Sequence, residues 1–199
     1  MSGKEAGAVF MDRDGTLIED VSYIAHPDQV RLLPGVASVL ADLEEHDIPR
    51  VIVTNQSGIA RGLLSESDYQ AVHRRIVELL AEEQASVTAA YHCPHHPDFS
   101  GSCDCRKPGT RLFERAAAEL HLDPAASLFV GDRWRDVQPG LSLGGAAFLV
   151  PSAATPPDEL RVAREAGLMA QSLEDAVSRW RARSMRLPGP EARDYNPAS

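Results

Sequence analysis

Lysine is almost missing from this chain. Two lysines, Lys4 and Lys107, stand against eighteen arginines, so arginine is the ordinary surface cation and Lys107 departs from that habit. Cysteine is nearly as scarce, and all three lie between Cys93 and Cys105. An odd, clustered set builds no disulfide scaffold and points to metal or redox chemistry. No apolar run approaches the roughly 20 residues of a membrane span, and no stretch of signal-peptide length precedes the first acidic motif. Positive charge is also in deficit: 29 acidic against 20 basic residues give a net charge of −9, which argues against gripping nucleic acid through a broad basic face. The expectation is a cytoplasmic protein with no membrane or nucleic-acid partner. An anionic ligand is still possible, but local cations must hold it.

What is present fits one domain. The chain has 199 residues with 43% apolar content, enough for a single well-buried core, expected over 1–186, with a proline-rich polar tail over 187–199 expected to be disordered. Apolar runs at 8–11, 50–53, 87–92, 127–130 and 146–150 read as buried strands. Helical spacing marks 34–46, 65–83 and 110–120, a segment after Asp132, and 173–183. Ser65 with Asp68 three positions on resembles a capping box. The stretch after Pro151 reads as a proline-rich loop. Strands separated by helices imply an α/β fold, a mainly parallel sheet with helices on both faces. In such sheets ligands bind at the carboxyl ends of the strands.

Those ends carry the chemistry. Asp12 and Asp14 leave the first strand with side chains on one side, and Gly15 allows the tight turn behind them. Two carboxylates held together can divide labour between nucleophile and acid–base. Asp132 closes a later strand with Asp136 one helical turn on, completing a hard-oxygen set suited to Mg²⁺. Taken singly, each aspartate reads as a turn or an N-cap; their convergence on one sheet edge does not. Thr54 adds a hydroxyl at its strand end, and Lys107 a compact ammonium for a phosphoryl oxygen or a carboxylate. Cys93-x-His95-x₇-Cys103-x-Cys105 supplies three sulfurs and an imidazole, a closed tetrahedral set for structural zinc, with His92 and His96 as competing ligands.

Together, MDRDGTL, the Thr54 strand end, Lys107 and GDRWRD resemble the four signatures of the haloacid-dehalogenase (HAD) phosphatase superfamily. Within it, DRDGTL, TNQSGIARG, CPHH…CDCRKP and VGDRWRD are similar to the D-glycero-D-manno-heptose 1,7-bisphosphate 7-phosphatases, from about Val9 to Val150. The resemblance implies a Rossmann-like fold and a small sugar phosphate as substrate. It implies attack on phosphorus by Asp12, proton transfer by Asp14, and phosphoryl contacts from Thr54 and Lys107. It places Mg²⁺ on Asp12, the Asp14 carbonyl and Asp132, and favours His95 for Zn²⁺ beside Cys93, Cys103 and Cys105. Substrate contacts are implied for Asp20, Val21, Ser22, Tyr23, Thr54, Asn55, Gln56, Ser57 and Arg106. Arg61 and Arg133 could add local positive charge. No cap domain fits between the motifs, so an open site on a monomer is expected. The competing readings are a histidinol-phosphate phosphatase with a similar zinc loop, a DNA 3′-phosphatase disfavoured by the charge, and a non-catalytic zinc-stabilised interaction module.

Overall fold

The computed structural model describes residues 6–184; the tail over 187–199 and Lys4 lie outside them. Five strands form one parallel sheet: β1 (Val9–Met11), β2 (Arg50–Asn55), β3 (Ala89–Cys93), β4 (Leu128–Gly131) and β5 (Ala146–Leu149), in the order β3-β2-β1-β4-β5. Seven helices connect or flank them: α1 (Val36–Glu45), α2 (Glu66–Glu82), α3 (Pro97–Ser100), α4 (Arg111–Leu120), α5 (Trp134–Ser142), α6 (Pro157–Glu165) and α7 (Leu173–Ser184).

Strand alternation sorts the core into two layers. Val9 and Met11 face one side with Ile52, Leu128, Val130 and Phe148, and α1, α2 and α7 cover them. Phe10 faces the other with Val51, Val53, Phe129 and Leu149, under α4, α5 and α6. Phe10 stacks on Phe129 at 4.9 Å and meets Phe113 of α4 edge-on at 5.5 Å. Both faces are covered, which is why the strands read as unbroken apolar runs.

Most expected elements are present with ends shifted by a residue or two. The Ser65 capping box forms: its hydroxyl accepts from the Asp68 amide at 3.1 Å, and its own amide donates to the Asp68 carboxylate at 2.7 Å. The loop reading after Pro151 is corrected. Its second half is α6, begun by prolines whose fixed φ suits a first helical turn and whose missing N–H costs nothing there. Leu160 and Ala163 of α6 pack on the second layer. The short α3, inside the cysteine loop, was not anticipated either.

Candidate active site

The chain runs outward from β1 through β2 to β3, then returns to place β4 on the other side of β1. The crevice at the carboxyl ends of β1 and β4 is therefore the topological switch point. Asp12 follows β1, and its amide donates to Val130 O at 2.9 Å, tying the two strand ends together. Gly15 turns the chain with φ +78°; a Cβ there would lie 2.5 Å from Asp132 Oδ2, so this turn can pass Asp132 only without a side chain. Gly131 has the same duty toward Asp136, whose Cβ would be 2.2 Å from a side chain at that position.

Asp12, Asp132 and Asp136 are buried and offer oxygens that all lie within 4.8 Å of one another. Lys107 reaches them from the loop beyond the cysteines. Its Nζ is 2.8 Å from Asp12 Oδ1, 2.7 Å from Asp136 Oδ1 and 2.6 Å from Val53 O. Burial works against its charge, yet Asp12 and Asp136 hold the ammonium above the usual lysine range. Asn55 fixes the Lys107 backbone in both directions, donating to its carbonyl at 3.1 Å and accepting from its amide at 3.0 Å. On Asp132, Oδ2 accepts from Ser152 at 2.6 Å and the carbonyl from Thr155 at 2.7 Å.

Three buried carboxylates face one ammonium, and the imbalance shows. Burial, with Asp12 and Asp136 adding, pushes Asp132 up to about 7 against the Ser152 hydrogen bond, and burial likewise raises Asp136. A divalent cation would balance this donor set, which suits Mg²⁺. The sign follows from linkage. A carboxylate whose folded pKa is raised stabilises the fold below its ordinary value of 3.8 and loses that contribution as pH rises through about 7. Added Mg²⁺ should therefore raise the melting temperature more at about pH 8 than at about pH 5. Melting curves with and without the ion check this, and an equal rise at both pH values would show that no proton on Asp132 competes with the ion.

Asp14 is turned away from that cluster. Both its oxygens take Arg13 Nε, at 3.2 and 3.1 Å, while Oδ1 takes Arg13 Nη2 at 2.9 Å and Oδ2 takes Gln56 Nε2 at 3.0 Å. Burial raises its pKa, Arg13 opposes the rise, and Asp12 adds to it. Beside it opens a cavity of about 330 Å³ walled by Arg61, Arg106 and Arg135, with Asp20, Ser22 and Tyr23 along one side. Arg106 donates to His95 O at 3.2 Å, and the Arg61 guanidinium lies 6.0 Å from the Tyr23 ring centre and 5.1 Å from that of Phe99. Among the described residues none of the three guanidiniums forms a salt bridge, although Arg135 acts at longer range on Asp132, Asp136 and Glu159.

Below the cavity, four soft donors converge. Cys93 Sγ is 3.1 Å from Cys105 Sγ, 3.6 Å from Cys103 Sγ and 3.7 Å from His95 Nδ1, which is 3.3 Å from Cys105 Sγ. A tetrahedron with zinc–ligand bonds of about 2.0–2.3 Å has edges of roughly 3.3–3.8 Å; three of these separations match it, the Cys93–Cys105 pair is slightly closer, and the donor set suits Zn²⁺. His92 pairs instead with Glu66 at 3.1 Å, and His96 Nε2 lies 2.7 Å from Arg61, which leaves His95 as the imidazole of the cluster.

Comparison with known proteins agrees with this geometry. The family model described as polynucleotide kinase 3 phosphatase matches residues 8–138, and the HAD-hydrolase-like model matches residues 104–176. The chain is 39% identical over 138 residues to D-glycero-β-D-manno-heptose-1,7-bisphosphate 7-phosphatase of Haemophilus influenzae, covering 67% of this chain and 75% of that one. The chain belongs to the HAD phosphatases. A D,D-heptose 1,7-bisphosphate phosphatase structure from B. bronchiseptica, complexed with magnesium and phosphate, superposes on this HAD phosphatase with a TM-score of 0.75. The two are 31% identical, over 89% of this chain and 99% of that one. The corresponding protein of Burkholderia thailandensis gives a TM-score of 0.62 at 27% identity, covering 86% and 97%.

Within the phosphatase, Asp12, Asp132 and Lys107 gather with Asp136 at the strand-end crevice, and Asp14 and Thr54 stand beside it, both bonded to Gln56. Asp20, Ser22, Tyr23, Asn55, Gln56, Ser57 and Arg106 line the cavity beside it. Two of the named residues lie differently. Val21 lines an adjoining hollow with Leu33 and Val150, which shares Asp20 and Ser22 with the cavity. Arg133 is spent on Glu159 of α6, with N–O distances of 2.8 and 3.1 Å, and Arg135 lines the cavity instead. Asp136 joins Asp12 and Asp132, while the Asp14 carboxylate stays out of that group, leaving its main chain for any metal contact. Arg13 was missed as a functional residue. It is a fully buried arginine clamping Asp14, and its place between the two aspartates was the available signal.

Proposed function

We propose that this phosphatase removes the 7-phosphate of D-glycero-D-manno-heptose 1,7-bisphosphate through an aspartyl-phosphate intermediate. The observation that carries the reading is the cavity beside Asp14, walled by three guanidiniums of which none is salt-bridged to a carboxylate. A substrate with one phosphate at Asp12 and a second, distal phosphate would supply the missing anion. The relatives named for that substrate support the choice.

Asp12 attacks phosphorus while Lys107 and Thr54 hold the phosphoryl oxygens, and the ester oxygen leaves with the proton of Asp14. Asp14, now ionised, takes a proton from water, which attacks the acyl phosphate and frees Asp12. Mg²⁺, on Asp12, the Asp14 carbonyl and Asp132 with Asp136 behind them, would neutralise charge on the transferred group. Zn²⁺ on Cys93, His95, Cys103 and Cys105 would hold the loop that carries Arg106 and Lys107. A monomer acting on a small cytoplasmic metabolite completes the reading.

Histidinol phosphate fits less well, because its amine is a cation and would face three arginines. A polynucleotide end needs a basic path along its backbone, which a chain of net charge −9 does not favour. The test is Mg²⁺-dependent phosphate release from both anomers of the heptose bisphosphate, from histidinol phosphate and from a 3′-phosphorylated oligonucleotide. The bisphosphate should lead in kcat/KM by at least about tenfold, and Arg135→Ala should erase much of that lead. Preference for histidinol phosphate or the oligonucleotide would overturn the substrate and keep the mechanism.

A further inference from the structure

Gln56 sits at the end of β2 among the residues that line the cavity, where the family resemblance would make it a substrate contact. Its side chain is not free for that. Oε1 accepts from Arg13 Nη2 at 3.1 Å, and Nε2 donates to Thr54 Oγ1 at 2.9 Å and to Asp14 Oδ2 at 3.0 Å. The amide has two N–H groups, and both are used. Its orientation is also forced, since the reverse would set an NH₂ against a guanidinium and a carbonyl oxygen against a carboxylate. Gln56 and Arg13 are both buried, and the Arg13 guanidinium lies 5.6 Å from the centre of the Tyr69 ring.

We infer that Gln56 is a positioning residue for proton transfer, an amide anchored at Arg13 and Thr54 that fixes the Asp14 carboxyl over the ester oxygen. Asp14 hangs at the rim of an open cavity on a short side chain with two free torsions. Arg13 grips it from its own backbone neighbour, a contact that moves whenever the β1 turn moves. Gln56 is the tie that refers Asp14 to a different strand. It is also the strand that carries Thr54, so the group gripping the phosphoryl oxygens and the group delivering the proton share one rigid reference. The hydroxyl of Thr54 accepts from Gln56, which leaves its own hydrogen to donate toward the phosphoryl group. The inference rests on the reading of Asp14 as the acid–base residue.

Gln56→Met keeps the length of the side chain and removes all three hydrogen bonds. It should lower kcat on a sugar phosphate by about 10²-fold with KM within a few-fold of the parent, the scale of a misplaced catalytic group. Because the effect runs through Asp14, the Asp14→Asn/Gln56→Met double variant should turn over no more than about threefold slower than Asp14→Asn alone. Zinc content and the circular dichroism spectrum should match the parent, with a melting temperature lowered by the lost buried hydrogen bonds. If Gln56→Met does not fold, Gln56→Glu keeps the acceptor for Arg13, offers Asp14 no donor when ionised, and should show the same kcat loss above neutral pH. A raised KM with unchanged kcat would make Gln56 a substrate ligand, and losses that multiply in the double variant would make it independent of Asp14; either overturns the inference. Parent-like turnover by Asp14→Asn would instead sink the acid–base reading itself, which separates the two failures.

Discussion

Asp12→Asn should abolish turnover, lowering kcat by roughly 10⁴–10⁶-fold, the range seen when a covalent or acid–base partner is deleted from other hydrolases. The substitution is nearly isosteric, so the loss is chemical. The amide nitrogen or oxygen left in place of Oδ1 cannot attack phosphorus and form a hydrolysable acyl phosphate. The surroundings argue that the fold will tolerate the change. Lys107 keeps Asp136 at 2.7 Å and Val53 O at 2.6 Å, so no buried charge is stranded. The Asp12 amide also keeps its bond to Val130 O, which closes the β1 and β4 ends. Circular dichroism and the melting temperature should stay close to the parent. Mass spectrometry of acid-quenched enzyme should capture a phosphorylated species in the parent and none in the variant. Residual turnover within tenfold of the parent would remove Asp12 from its role as nucleophile.

The reason so much of this site was legible lies in where its parts are encoded. A parallel strand buried on both faces reads as an apolar run, and the residue that ends the run is the one presented at the sheet edge. Asp12, Thr54 and Asp132 each follow or close such a run, so their convergence follows from the fold class alone. The Ser65 cap was legible because both partners lie within one helical turn. What the sequence concealed depends on partners far along the chain. Arg133 and Arg135 flank one tryptophan, and only Glu159 decides which of them is salt-bridged. That glutamate belongs to α6, whose opening prolines look like loop composition and are equally good helix starters. The grip of Arg13 and Gln56 on Asp14 joins two strand ends more than 40 residues apart. It shows up only when the loops after β1 and β2 are seen packed together.

The second large effect is expected at the cysteines. Cys103→Ser leaves Cys93, His95 and Cys105, a set short of the four ligands that a closed structural zinc site needs, and zinc per chain should fall well below one. In isolated zinc-finger peptides the ion contributes roughly 10–16 kcal/mol of apparent binding energy, which is nearly all of their stability. Here the sheet has its own core, and the ion would secure one loop from the end of β3 to Lys107. A loss of about 3 kcal/mol, seen as roughly 10 °C in the melting temperature, is the expected scale. The kinetic consequence separates the two halves of the site. Arg106 stands next to Cys105 and is steadied by the carbonyl of His95, so distal binding should suffer directly. Lys107 is tied to Asn55, Asp12 and Val53 as well, contacts that do not pass through the cluster. The variant should therefore lose more kcat/KM on a bisphosphate than on p-nitrophenyl phosphate, which has no distal group for Arg106 to hold. Equal losses on both would mean that the cluster supports Lys107 and Arg106 alike. Full zinc occupancy in Cys103→Ser would instead show that this sulfur is no ligand.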